Sequence, residues 1–157
     1  MSTIHLHGTT TATPEQYIAG LTDFGPGRSK LFGNSTDGYL KVHSQGGRQA
    51  DVTEGSNGIW ERLHYDWSDP NHVVLKTTDS NFWGGSSGHT YTLTRKPDET
   101  TEVDVVVVRD GKNFKGRVLG AVVGLFGKGV VEKGFEKTLK AIEARNYAAK
   151  ATEVRRP

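Results

Sequence analysis

Between Tyr39 and Arg109 apolar and polar residues alternate with a period of two, interrupted by short turn-forming clusters. Six strands are predicted there, over about 39–44, 49–54, 59–67, 72–81, 89–96 and 102–109. The separators are Gly46-Gly47, Gly55 to Gly58, Asp69-Pro70-Asn71, Gly84 to Gly88 and Pro97-Asp98. Connections this short join antiparallel neighbours only, because a parallel crossover needs a dozen or more residues. A further strand is predicted over Thr3 to Thr11, where β-branched residues are dense. The period then changes. Thr13, Pro14 and Gln16 form an N-cap, an N1 proline and the far half of a capping box, followed by Tyr17, Ile18 and Leu21 on one side of a helix that Gly25-Pro26-Gly27 ends. Arg28 to Phe32 predicts one more short helical turn.

Asn113 is placed to cap a last helix running from about Phe114 to Asn146. Its second half is amphipathic, with Val131, Phe135, Leu139 and Ile142 on one face and charged residues on the other. Its first half has apolar residues all round, which predicts enclosure on several sides. It also carries Gly116, Gly120, Gly124, Gly127 and Gly129, each costing about 1 kcal/mol relative to alanine in a helix interior. Two readings of these glycines stand open: close packing on a sheet, or side-chain volume withheld to leave room for a cavity. A straight helix of this length spans about 50 Å, against a domain diameter of roughly 40 Å. Gly127-Lys128-Gly129 is the place where a bend or an interruption is expected.

Composition narrows the class. The chain has 157 residues and a formal net charge of +2, which suits one domain, expected over 1–147 with a C-terminal tail over 148–157. Without a basic stripe, nucleic acid is not an expected partner. Cysteine is absent, so disulfides, thiolate metal sites and thiol nucleophiles are excluded. No secretory signal is visible at the N-terminus, and a cytoplasmic protein is expected. The most apolar window, Val118 to Val131, is short of the about 20 residues a transmembrane span needs, and it contains Lys128. No transmembrane segment is therefore expected.

The candidate polar residues are Asp79, His89 and Arg109, each near a glycine-rich turn and at or near a strand end. Strand parity places Tyr91 and Leu93 with His89, and Val103, Val105 and Val107 with Arg109, but does not say which face is inward. Arg109 with Asp79 is read three ways: a structural ion pair, a polar handle for a ligand carboxylate, or two exposed residues. Trp83 beside Gly84-Gly85 is read equally as a rim aromatic or as a core or surface one, and Leu31 and Phe32 between Gly27 and Gly33 are candidates for part of a gate. His5 and His7 share a strand face, yet two imidazoles do not make a catalytic zinc site, so no metal is expected.

The segments TATPEQYIAGLTDF (11–24), WERLHYDWSDPNHVVL (60–75), TTDSNFWGGSSGHTYTL (77–93) and VDVVVVRDGKN with the glycine-bearing helix (103–129) resemble bacterial members of the SRPBCC superfamily, which includes START, Bet v 1-like and polyketide cyclase/dehydratase-like proteins. That resemblance implies an α+β helix-grip fold, with a curved antiparallel sheet of about seven strands wrapped around the long C-terminal helix. It also implies an internal cavity between sheet and helix that takes a hydrophobic molecule, whether lipid, fatty-acid-like or polyketide-like, as in a carrier or sensor. The alternative is a cyclase or dehydratase-like enzyme, for which His89, Asp79, Tyr91 and His43 are acid or base candidates. The expected lining comprises Leu31, Phe32, Asp79, Trp83, His89, Tyr91 and Leu93, together with Val105, Val107, Arg109, Leu119, Val122, Val123 and Phe126. No cofactor is expected, and monomer and homodimer both remain open.

Overall fold

A computed structural model describes residues 1–154, including all side chains except those of Phe126 and residues 149–154. The chain runs β1 (Ser2–Thr10), α1 (Pro14–Leu21), a 3₁₀ turn (Arg28–Lys30), β2 (Lys41–Gly46), β3 (Gln49–Ser56), β4 (Ile59–Asp69), β5 (His72–Ser80), β6 (Gly88–Arg95) and β7 (Thr101–Arg109). Then follow α2 (Phe114–Val122), a π-helical turn (Val123–Gly127) and α3 (Lys128–Val154). The seven strands form one antiparallel sheet in the order β1-β7-β6-β5-β4-β3-β2. Among the described residues no helix is long and apolar enough to cross a membrane.

Local chemistry accounts for these elements. The α1 capping box is complete: Thr13 Oγ1 accepts from the Gln16 backbone N–H at 3.1 Å, and Gln16 Oε1 accepts from the Thr13 N–H at 2.9 Å. Asn57 and Gly58, both at positive φ, make the tight β3–β4 hairpin. Period-two burial builds the concave face, from Ile4 and Leu6 on β1 through Ala50 and Val52 on β3 to Val103 and Val105 on β7. Leu139 and Ile142 of α3 close that core, as the amphipathic pattern predicts.

The last helix differs from expectation in three respects. The expected interruption is present but begins earlier, as a π turn over Val123–Gly127 that ends on the first residue of Gly127-Lys128-Gly129. It continues to Val154, past Asn146 and into the expected tail; residues 155–157 lie outside the described residues. Its first half is not enclosed. Val118, Val122 and Leu125 are exposed, because the open sheet covers only one side of α2.

The glycines also divide. A Cβ at Gly116 would lie 2.1 Å from the Phe82 carbonyl oxygen, and one at Gly124 would lie 2.8 Å from Ser2 Oγ. At Gly120 a Cβ would touch the Trp83 ring at 3.5 Å, while its carbonyl accepts from Ser2 Oγ at 2.6 Å. Gly116 and Gly124 therefore seat α2 and the π turn against the β5–β6 loop and β1, so the close-packing reading holds for these two, while a Cβ at Gly120 would make an ordinary contact. Gly134 is different: nothing lies within 4 Å of its would-be Cβ. Gly116→Ala should consequently lose about 2 kcal/mol through overpacking, whereas Gly134→Ala should gain about 1 kcal/mol from helix propensity. Urea unfolding of the two variants distinguishes them, and equal effects of the same sign would contradict this division.

Candidate functional site

Between the concave face and the composite helix lie two adjoining cavities of about 270 and 330 Å³. Each is near the lower end of the ~300–1,000 Å³ typical of ligand sites. Phe32, Asn34, His89 and Tyr91 border both. The larger lobe is apolar, walled by Leu6, Val105, Val107, Val131 and Phe135, with Gly134 at its edge. The smaller lobe holds two arginine–glutamate pairs, Arg28 with Glu54 and Arg109 with Glu61.

The second pair reaches across the sheet. Glu61 is on β4 and Arg109 on β7, three inter-strand spacings apart, or about 14 Å along a flat sheet. Arg109 Nη1 nevertheless donates to Glu61 Oε2 at 2.8 Å, and Thr77 Oγ1 donates to the same oxygen at 2.8 Å. Burial alone would raise the Glu61 carboxyl, but Arg109 and these hydrogen bonds hold it below the usual glutamate value. Arg109 Nη2 lies 3.0 Å from His89 Nε2, and its guanidinium sits 5.3 Å from the centre of the Trp83 ring.

A guanidinium only donates. His89 Nε2 must therefore accept, and the neutral ring carries its proton on Nδ1. Burial and the Arg109 charge push the His89 pKa down to about 4, so the ring is neutral near pH 7. Burial raises the Tyr91 hydroxyl well above its ordinary value. Both side chains consequently face the lobes as neutral polar groups.

Arg28 has acceptors in the protein for four of its five N–H groups, the fourth being the Tyr65 hydroxyl. Nε donates to Glu54 at 2.6 Å, Nη1 to the Asp23 carbonyl at 2.6 Å and Nη2 to the Leu21 carbonyl at 2.8 Å, with Phe24 and Phe32 rings on its faces. Glu54 also accepts from Ser35 Oγ and the Tyr65 hydroxyl. This cluster pins the segment after α1 over the cavity. Arg109 keeps spare capacity: two of its five N–H groups have an acceptor among the described residues.

Of the expected lining, Phe32, Trp83, His89, Tyr91, Val105, Val107, Arg109, Leu119 and Val123 border one lobe or both. Leu93 is buried in the core beneath, and Leu31 packs on that core while its carbonyl accepts from Thr138 Oγ1. Val122 points to solvent. The Phe126 side chain lies outside the described residues.

Asp79 is also outside the cavity and pairs with Lys112 at 3.4 Å, not with Arg109. The register shift between Arg62 and Leu63 pairs them with Asp79 and Thr77, leaving Thr78 as a bulge. That extra residue reverses the parity of β5, turning Asp79 outward and Ser80 inward. His43 is exposed on the edge strand, bonded to Thr53, and His7 pairs with Asp104 on the outer face at 2.6 Å.

Arg28, Glu54, Glu61 and Ser35 were not expected at the site. Glu54 shares parity with Ala50 and Val52, and Glu61 with Leu63 and Tyr65. An acid in phase with an apolar strand face is the signal that would have found both.

No family model matches the chain, and no curated protein matches it. Solved structures do. A Thermus thermophilus protein superposes with a TM-score of 0.68 at 16% identity, covering 94% of this chain and 98% of its own. A START superfamily protein from Mycobacterium smegmatis gives a TM-score of 0.65 at 12% identity, with 92% and 97% covered. This chain has the helix-grip fold. A third helix-grip structure, the Zhui aromatase/cyclase from a Streptomyces species, matches with a TM-score of 0.63 at 14% identity, covering 91% and 92%. At these identities the likeness concerns the fold alone.

Proposed function

We propose that this helix-grip protein binds a hydrophobic small molecule that carries an uncharged polar end, as a carrier or sensor. The observation that carries this reading is the two-lobed hollow, apolar on one side and polar on the other. The charges in the polar lobe cancel: each arginine has its own glutamate, and His89 is neutral. A ligand carboxylate would add an uncompensated charge there, which is costly away from water. A carbonyl or hydroxyl would instead take the spare Arg109 donors. The fitting class is thus a polyketide-like or neutral lipid molecule in preference to a free fatty acid.

Native mass spectrometry of freshly purified protein, followed by identification of what is released, tests this directly. Titration of delipidated protein with neutral aromatic polyketides, neutral lipids and fatty acids should give saturable binding, tightest for the neutral compounds. Val107→Phe, which fills the apolar lobe, should weaken it roughly tenfold, equivalent to excluding about two methylenes at ~0.8 kcal/mol each. No saturable binding across the panel would sink the proposal.

The cyclase-like reading draws support from His89 and Tyr91 at the junction of the lobes and from the aromatase/cyclase among the similar structures. Against it, the accepting nitrogen of His89 is taken by Arg109 and the ring is a weak base. Turnover of a polyketide thioester that vanishes in folded His89→Ala would replace the carrier reading.

A further inference from the structure

The outer face of the composite helix is unusual for its apolar content. Phe114, Val118, Val122, Leu125 and Val130 are 81, 48, 47, 76 and 74% exposed. At about 100° per residue, the first four fall within roughly 80° of one another. Val130 would point about 160° from Phe114 on a regular helix. The π turn inserts an extra residue, which rotates the following chain back by about one position and returns Val130 to about 60°. The interruption therefore keeps a continuous stripe in line.

The charge around the stripe has one sign. From Gly111 to Val131 the chain carries Lys112, Lys115, Arg117 and Lys128 and no acid. Lys112 is tied to Asp79 and the Ser80 carbonyl, and Lys128 lies 3.8 Å from Glu132. Lys115 and Arg117 are exposed and have no ion-pair partner among the described residues. By the same helical geometry they flank the stripe on its two sides. Val130 also lines the apolar lobe, so the stripe ends at that lobe.

We infer that this stripe docks the protein on an anionic lipid bilayer, with the apolar lobe beside the membrane. An amphipathic helix with apolar residues outward and basic residues at the borders lies in the headgroup region, held by apolar burial and by attraction to acidic lipids. The docking inferred is peripheral, with the helix lying along the headgroups; among the described residues no helix is long and apolar enough to cross a membrane. Loading of the cavity from the membrane rests on the proposed ligand-binding reading; the docking itself does not.

Vesicle flotation with the full chain tests the docking. Wild-type protein should float with phosphatidylcholine vesicles containing phosphatidylglycerol, and much less with phosphatidylcholine alone or at raised salt. Phe114→Ser combined with Leu125→Ser should lower the affinity more than about tenfold, given the transfer value of two large apolar side chains. Lys115→Gln combined with Arg117→Gln should lower it roughly tenfold on anionic vesicles only. None of these residues lines a lobe, so ligand titration in solution should be unchanged and the two proposals can fail separately. Absence of wild-type flotation, equal binding to both vesicle types, or unaltered binding by the variants would overturn the inference. So would light scattering that finds a dimer dissociated by Phe114→Ser with Leu125→Ser, since the stripe would then be a contact between copies.

Discussion

Glu54→Gln should destabilise the protein by about 3–5 kcal/mol, the usual cost of leaving a buried charge without its partner. The Arg28 side chain is only 1% exposed, and its carbonyl contacts to Asp23 and Leu21 supply no charge. Glutamine keeps the volume of Glu54 but not the negative charge, and its NH2 replaces an oxygen that now accepts from either Ser35 or Tyr65. Urea unfolding at neutral pH reads the loss directly. For a chain of this size the melting temperature should fall by roughly 10 °C or more. Arg28→Met combined with Glu54→Leu should lose less than Glu54→Gln alone, because no charge remains to be buried. Arg95→Gln supplies the contrast: its pair with Glu15 is exposed on both sides, so the change should stay within about 0.5 kcal/mol. A Glu54→Gln loss as small as that would show that water reaches the Arg28 guanidinium.

The same cluster bears on function. Arg28 joins the end of α1, the segment through Phe32 and strands β3 and β4 in one hydrogen-bonded unit. Phe32 borders both lobes. Weakening the cluster should therefore loosen the cavity wall before it unfolds the sheet.

Much of the fold is legible in the residues. Period-two burial, the Asn57-Gly58 turn and the Thr13 to Gln16 capping box each follow from interactions within a few residues. What could not be read depends on register and on partners distant in the chain. A single bulge at Thr78 moves Asp79 from the inner to the outer face, and nothing local to β5 announces it. Gly116 of α2 and Gly124 of the π turn are explained by Phe82 and Ser2, which meet the helix only in the folded sheet. Apolar residues around that helix were expected to be enclosed, but an open sheet has one concave face and leaves the other side of α2 bare. The inward acids were readable, since Glu54 and Glu61 break otherwise apolar inner faces. Their arginine partners were not, because Arg109 and Glu61 lie on strands three places apart in the sheet.

Acidification should weaken the protein first through His89. Its folded pKa is about 4, against 6.5 for a free histidine. Over that window the unfolded chain binds a proton that the folded protein does not. Stability is thus complete above about pH 6.5 and declines as the pH falls towards about 4. The full difference corresponds to about 3 kcal/mol, at the upper end because the ring borders a cavity that water can enter. From about pH 7 to about pH 5 the loss should be about 2 kcal/mol, or roughly 4–8 °C in melting temperature. His7 works in the opposite sense. Its bond to Asp104 raises its pKa, so its contribution is present at low pH and fades as the pH rises, but the pair is exposed and screened. Glu61 acts lower still: its folded pKa is held below the ordinary 4.5, so its contribution is present above that value and is lost as the pH falls through the folded one. His89→Gln separates the first contribution from the last. The glutamine oxygen can accept from Arg109 as Nε2 does, while the titrating group is gone. The variant should therefore lose most of the slope between about pH 6.5 and 4 and keep the steeper decline at lower pH. If its unfolding midpoint tracks that of the wild-type protein across the whole range, then folding does not lower the His89 pKa, and burial with the Arg109 charge does not suppress its protonation.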